Sequence, residues 1–185
     1  DDLAQARARV GSWNCETGES SGPEWDIAPY KDECYFHKAI LFEDKTFCDK
    51  IEDPENFGFG SCAGALKNCE ELTTTQEKDE CYSQKNSLRW NTAGMFNLGS
   101  EYLTSYCDKI TDQAGKDICF LQTADITKDP RTCEKISGQT DSFFGPITPS
   151  LCYSQISKNS YVALDICEKI SESEYYKVCC WYDVM

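Results

Sequence analysis

Thirteen of the 185 residues are cysteine. A thiol can ligate a metal, act as a redox or nucleophilic centre, or form half of a disulfide. Redox and zinc sites favour close CxxC pairs. None occurs here, and neither does CxxCH, the attachment signature of c-type haem. With a single histidine, His37, the mixed Cys/His zinc spacings are missing too. Disulfides remain, and a chain this rich in cysteine is expected in an oxidising compartment. Thirteen is odd, so at least one cysteine is unpaired or bonds another chain. Cys179 and Cys180 are adjacent, which makes them a redox candidate. Nothing basic but Lys177 is near to lower a thiol pKa, so one structural partner beside a spare is the plainer reading.

The other reactive side chains show no constellation. His37 lacks a nucleophile or acid in any motif, and a packing or surface role is expected for it. Acidic residues gather at Glu70, Glu71, Glu77, Asp79 and Glu80. Glycoside hydrolysis needs two carboxylates facing each other across a cleft, whereas runs on helices are solvated faces. Residues 53–58, DPENFG, resemble the start of a calcium loop but lack its later ligands. GxSxG, P-loop and dinucleotide fingerprints are absent. No enzyme activity, cofactor or metal is expected. A net charge of −14 disfavours nucleic acid and anionic membrane, and the longest apolar run, residues 39–42, is far too short to span a bilayer. The chain begins at Asp1 without an apolar leader, as a processed form would.

The elements that must position the cysteines come from a repeat. Cys34–Ile51 reads CYFHKAILFEDKTFCDKI, and Cys119–Ile136 reads CFLQTADITKDPRTCEKI. Each has an aromatic at +1, Ala at +5, Asp at +10 and a second Cys at +14, followed by an acid and Lys-Ile. Cys152–Ile170 is the same with one extra residue, and Cys81–Ile110 carries about a dozen more. The aromatic and Ala lie one helical turn apart on one face. The first helix should end near Glu43. Asp44 and Asp129 are N-cap candidates for a short second helix, with Pro130 at its first position. The expected fold is all-α, an array of about five disulfide-stapled helix–turn–helix units, without the period-2 alternation of strands.

The expected organisation is an N-terminal helix and arm over residues 1–30, then a repeat domain over 31–185. Its units lie near 34–51, 62–72, 81–110, 119–136 and 152–170, with a cap over 171–185. Residues 1–10 suit a helix. Residues 11–30, rich in Gly, Ser, Pro and acid, read as a loop anchored by Trp13, Cys15 and Trp25. Residues 86–100 and 137–150 read as long loops inserted in the repeat. Their aromatics and methionine, Trp90, Met95, Phe96, Phe143 and Phe144, are candidate interface anchors or plugs for the ends of an array.

Two pairings fit the alternation of cysteines. In one, each long-helix Cys bonds the next short-helix Cys, which requires Cys62–Cys69. Seven residues of continuous helix would separate these two by roughly 10 Å, beyond disulfide reach of about 7 Å. The other joins Cys15–Cys34, Cys48–Cys62, Cys69–Cys81, Cys107–Cys119, Cys133–Cys152 and Cys167–Cys179, with Cys180 competing for the last place. Helix rise and disulfide reach favour the second.

The pattern C-[DE]-K-I … K-D-x-C-[YF], spanning residues 31–181, resembles Cys-rich helical repeats of secreted and surface proteins of archaea and bacteria. The Cx9C hairpins of the mitochondrial intermembrane space are similar in concept but differ in spacing. The leading expectation is a non-enzymatic extracellular or cell-surface structural subunit, of a filament or other assembly. Its partners would be copies of itself or other surface proteins. The alternatives are a secreted monomeric binding or inhibitor module, and a secreted hydrolase with a carboxylate site.

Overall fold

The computed structural model of the protein describes residues 2–20, 30–53, 62–138, 140–142, 145–157 and 169. The described chain is mostly helical. It divides into two compact parts, Asp1–Leu98 and Gly99–Met185, with the boundary inside the insertion at 86–100.

The N-terminal part opens with α1 (Asp2–Gly11) and a two-residue hairpin of β1 (Trp13–Asn14) and β2 (Glu19–Ser20). Helix α2 (Lys31–Phe42) follows, then a 3-10 helix over Lys45–Lys50, α3 (Cys62–Ala65), a second 3-10 turn at Cys69–Glu71 and α4 (Thr75–Met95). Phe36, Ala39, Ile40, Ala65, Leu66 and Leu88 form a core, against which Phe47 and Ile51 pack. Arg7 ties α1 to α2 by donating to the Leu41 carbonyl at 2.7 Å.

The C-terminal part contains α5 (Ser100–Cys107), α6 (Gln113–Thr127), α7 (Pro130–Cys133), a hairpin of β3 (Thr140–Ser142) and β4 (Gly145–Ile147), and α8 (Pro149–Ser157). Leu103, Ile110, Phe120, Ala124, Ile136 and Ile156 are buried in it.

The turn inside each of the two gapless segments has one construction. Glu43 and Lys128, both at +9 from the opening cysteine, take the left-handed conformation with φ 54°. Their N–H groups donate to the carbonyls of Ala39 and Ala124, the +5 alanines. The next residue, Asp44 or Asp129, caps the short helix by accepting from Thr46 N–H or Arg131 N–H. Pro130 sits at the start of α7 as its fixed φ suits. After Asp44 the short helix is 3-10 rather than α.

Three expectations need correction. Residues 86–95 are not a loop: α4 runs without a break to Met95, started by a capping box in which Thr74 and Glu77 satisfy each other's backbone N–H. The segments 11–30 and 137–150 each contain a short antiparallel hairpin where loop was expected. Lastly, the helix does break between Cys62 and Cys69. Helix α3 ends at Ala65, and Asn68 caps a new turn by accepting from Glu70 N–H. Rise along one continuous helix is therefore not what keeps those two cysteines apart.

Candidate functional site

Ten described cysteines form five disulfides: Cys15–Cys34, Cys48–Cys62, Cys69–Cys81, Cys107–Cys119 and Cys133–Cys152. These are pairs of the second framework. In each, the later cysteine lies in a helix, and the Cα atoms are 5.5–5.7 Å apart. Cys167, Cys179 and Cys180 lie outside the described residues.

The disulfides do not act alone. The consensus residues around them make one set of contacts more than once. The aromatic at +1 of the opening cysteine lies under the lysine of the next C-[DE]-K-I. Lys50 Nζ stands 5.2 Å from the Tyr35 ring centroid, Lys135 5.3 Å from Phe120, and Lys169 5.7 Å from Tyr153. The same lysines meet the acid that follows the earlier cysteine of the staple. Lys135 pairs with Asp108 at 3.2 Å and Lys169 with Glu134 at 2.9 Å. In the first staple, Glu16 instead accepts from the Tyr35 hydroxyl at 2.6 Å and from Lys31 at 3.1 Å. These contacts hold its carboxyl below the usual range, the Tyr35 bond contributing most. Glu70 accepts likewise from Tyr82 beside the Cys69–Cys81 bond. Burial first, and Glu70 second, push the Tyr82 phenol up to about 12.

The aspartate of K-D-x-C closes the other side. Asp32 accepts from the N–H groups of Glu52 and Asp53, each at 3.1 Å, directly after Lys50-Ile51. Asp117 accepts from the N–H of Ser137 at 3.0 Å, directly after Lys135-Ile136. These two segments, 34–51 and 119–136, thus fold their ends back onto their own beginnings while a disulfide and an acid tie each to the residues before it. Exposed pairs such as Lys135–Asp108 contribute little individually, under about 1 kcal/mol. Tyr82→Phe should cost about 1 kcal/mol, the worth of one half-buried hydrogen bond, measured by chemical denaturation. An unchanged midpoint would show that Glu70 is satisfied by Lys78, 3.7 Å away, without the phenol.

The residues weighed for other chemistry are accounted for locally. His37 is fully buried in α2, its Nδ1 2.9 Å from Thr92 Oγ1 on α4 and its ring against Trp13, Phe36 and Phe96. Of the acidic run, Glu77 is spent in the capping box and Glu80 accepts from Gln76. Among the described residues no group of three or more His, Cys, Asp or Glu is arranged to hold a metal ion. Nor is any described helix long and apolar enough to cross a membrane. Most of the 53–58 stretch lies outside the described residues, as do Phe143 and Phe144.

The candidate anchors of the first insertion are dispersed. Trp90 is half-buried within α4, Met95 is exposed at its last turn, and Phe96 caps it while packing on Trp13 at 5.6 Å. Phe96 is therefore a core contact of the N-terminal segment, and its spacing from Trp13 in sequence concealed this.

Two buried charges went unforeseen. Arg89, in the middle of α4, is 1% exposed. It donates to the Ala65 carbonyl at 2.7 Å, satisfying the end of α3, and reaches Glu43 at 3.7 Å. Asp117 is fully buried and accepts from Ser137, Thr140 and Gln113. The K-D-x-C motif contained the signal for Asp117, whereas nothing in the local pattern marks Arg89. Neither a protein-family model, nor a curated protein, nor a solved structure matches this chain.

Proposed function

We propose that this chain is a non-enzymatic extracellular structural protein, a series of stapled helix–turn–helix units that serves as a subunit of a surface assembly. The observation that carries this reading is the recurrent closure. The lysine, acid, aromatic and aspartate of the consensus are occupied in holding one segment to itself and to its predecessor. Side chains so engaged are unavailable for turnover, and the one histidine is buried against three aromatic rings. Five disulfides support an oxidising compartment and a protein that persists there. Repeat units depend on contacts with their neighbours, which suits a building block.

Light scattering on natively oxidised protein tests the assembly. Mass should rise above that of one chain with increasing concentration. A strictly monomeric species at high concentration would overturn the assembly reading and favour a monomeric binding module.

A further inference from the structure

The N-terminal segment meets α2 and α4 at His37. Trp13, from the first hairpin, and Phe96, from the end of α4, lie 5.6 Å apart and both contact the imidazole, at 6.5 and 5.6 Å between centroids. Arg9 on α1 stacks over both of these rings, 5.9 Å from Trp13 and 5.6 Å from Phe96. Lys38 on α2 fixes the hairpin by donating to the Trp13 carbonyl at 2.7 Å. The imidazole is thus roofed by two aromatics, with the Arg9 guanidinium over both. Neither Trp13 Nε1 nor His37 Nε2 has a hydrogen-bond partner among the described residues.

The charged groups with contacts at this roof are Arg9 on α1 and Glu33 and Lys38 on α2. Glu33 Oε1 stands 3.7 Å from Nε2, too far for a hydrogen bond. Its field favours the tautomer with the proton on Nε2, so that Nδ1 accepts from the Thr92 hydroxyl. A second proton would sit on Nδ1, turning that contact from acceptor to donor. A charge would then lie buried against the Trp13, Phe36 and Phe96 rings. Burial costs a charged imidazole far more than a neutral one.

We propose that His37 is an acid-sensitive latch: protonation of its ring opens the Trp13–Phe96 roof and loosens the segment Asp2–Ser20 from α2 and α4, while the Cys15–Cys34 bond keeps it tethered. Burial holds the closed ring down to about 4, against an ordinary 6.5 once the roof is open. The open form therefore binds more protons across that window, so the closed form loses stability as pH falls from about 6.5 toward 4. Between pH 7 and pH 5 the opening constant should rise about 20-fold.

Hydrogen exchange of the oxidised protein, corrected for the intrinsic pH dependence of exchange, tests this. Peptides within residues 2–20 should lose about 20-fold protection from pH 7 to pH 5. Peptides of α6 should lose none, because Asp117 titrates below that range. As His37 is the only histidine, its ring resonances can be followed without ambiguity and should show no titration of the closed form above pH 5. The His37→Phe variant should abolish the pH dependence. Should it fail to fold, the wild-type comparison of residues 2–20 with α6 decides alone. Equal loss in both regions, or a closed ring titrating near 6.5 with unchanged exchange, would overturn the latch.

Discussion

Replacing Cys107 and Cys119 together with alanine should cost the C-terminal part about 3 kcal/mol in guanidinium unfolding. The bond spans a separation of 12 residues, and both cysteines are buried where α5 meets α6. Closing a loop of that size removes unfolded-state entropy worth about this much. Cysteine sulfurs also fill space that alanine leaves empty, with Thr123 Oγ1 only 3.6 Å from Cys107 Sγ. Lys135→Ala, which removes the exposed pair with Asp108 beside the same staple, should cost under about 1 kcal/mol. Comparable losses in the two variants would mean that surface contacts rather than the bond hold the segments, and would undo the account of the staple.

A second large effect is expected at Asp117. Its carboxylate is buried and accepts from the Ser137 N–H at 3.0 Å, the Ser137 and Thr140 hydroxyls at 2.6 and 2.8 Å, and the Gln113 amide at 2.8 Å. It is what fastens the second hairpin to α6. Burial raises its pKa, but the bonds from Ser137, Thr140 and Gln113 outweigh burial and hold the carboxyl below the ordinary 3.8. A carboxylate depressed in the folded state contributes stability that is complete above the unfolded pKa and is lost as pH falls through the folded one. Asp117→Asn presents an amide to groups that are mostly donors. It should cost about 3 kcal/mol at pH 7, and the difference from wild type should shrink below pH 4. A constant difference down to pH 2 would show that packing, not the charge, is what the substitution removes.

Much of the local architecture was legible in sequence because it rests on short-range chemistry. Asp44 and Asp129 act on backbone two residues away, and a left-handed turn before them needs only one residue at +9. The alternation of cysteines, helix-opening then helix-ending, narrowed the pairing to two frameworks, one of which is the observed one. Helix rise would separate Cys62 from Cys69 only along an unbroken helix, and Asn68 restarts the chain between them. What sequence could not reveal depends on partners distant in the chain. Helix α4 crosses residues 86–95 in spite of Asn91 and Gly94, because Asn86, Leu88, Arg89, Thr92 and Ala93 are buried. That burial, rather than propensity, decides the outcome. The lysine of C-[DE]-K-I finds its ring partner 15 or 16 residues earlier in the chain, outside any local pattern.

The five bonds join cysteines that are neighbours in order along the chain: first with second, third with fourth, and so on to the tenth. Ten thiols oxidised at random have on the order of a thousand pairings. One of these is reached without search when a polypeptide emerges from its N-terminus into an oxidant. Each cysteine then meets its partner before the next competitor arrives, and no closed loop has to be threaded or undone. Vectorial delivery and nearest-neighbour bonding thus lead to one product, with little need for an isomerase to reshuffle errors. Refolding the whole reduced chain at once removes that ordering and should yield scrambled isomers that form in seconds and resolve over hours.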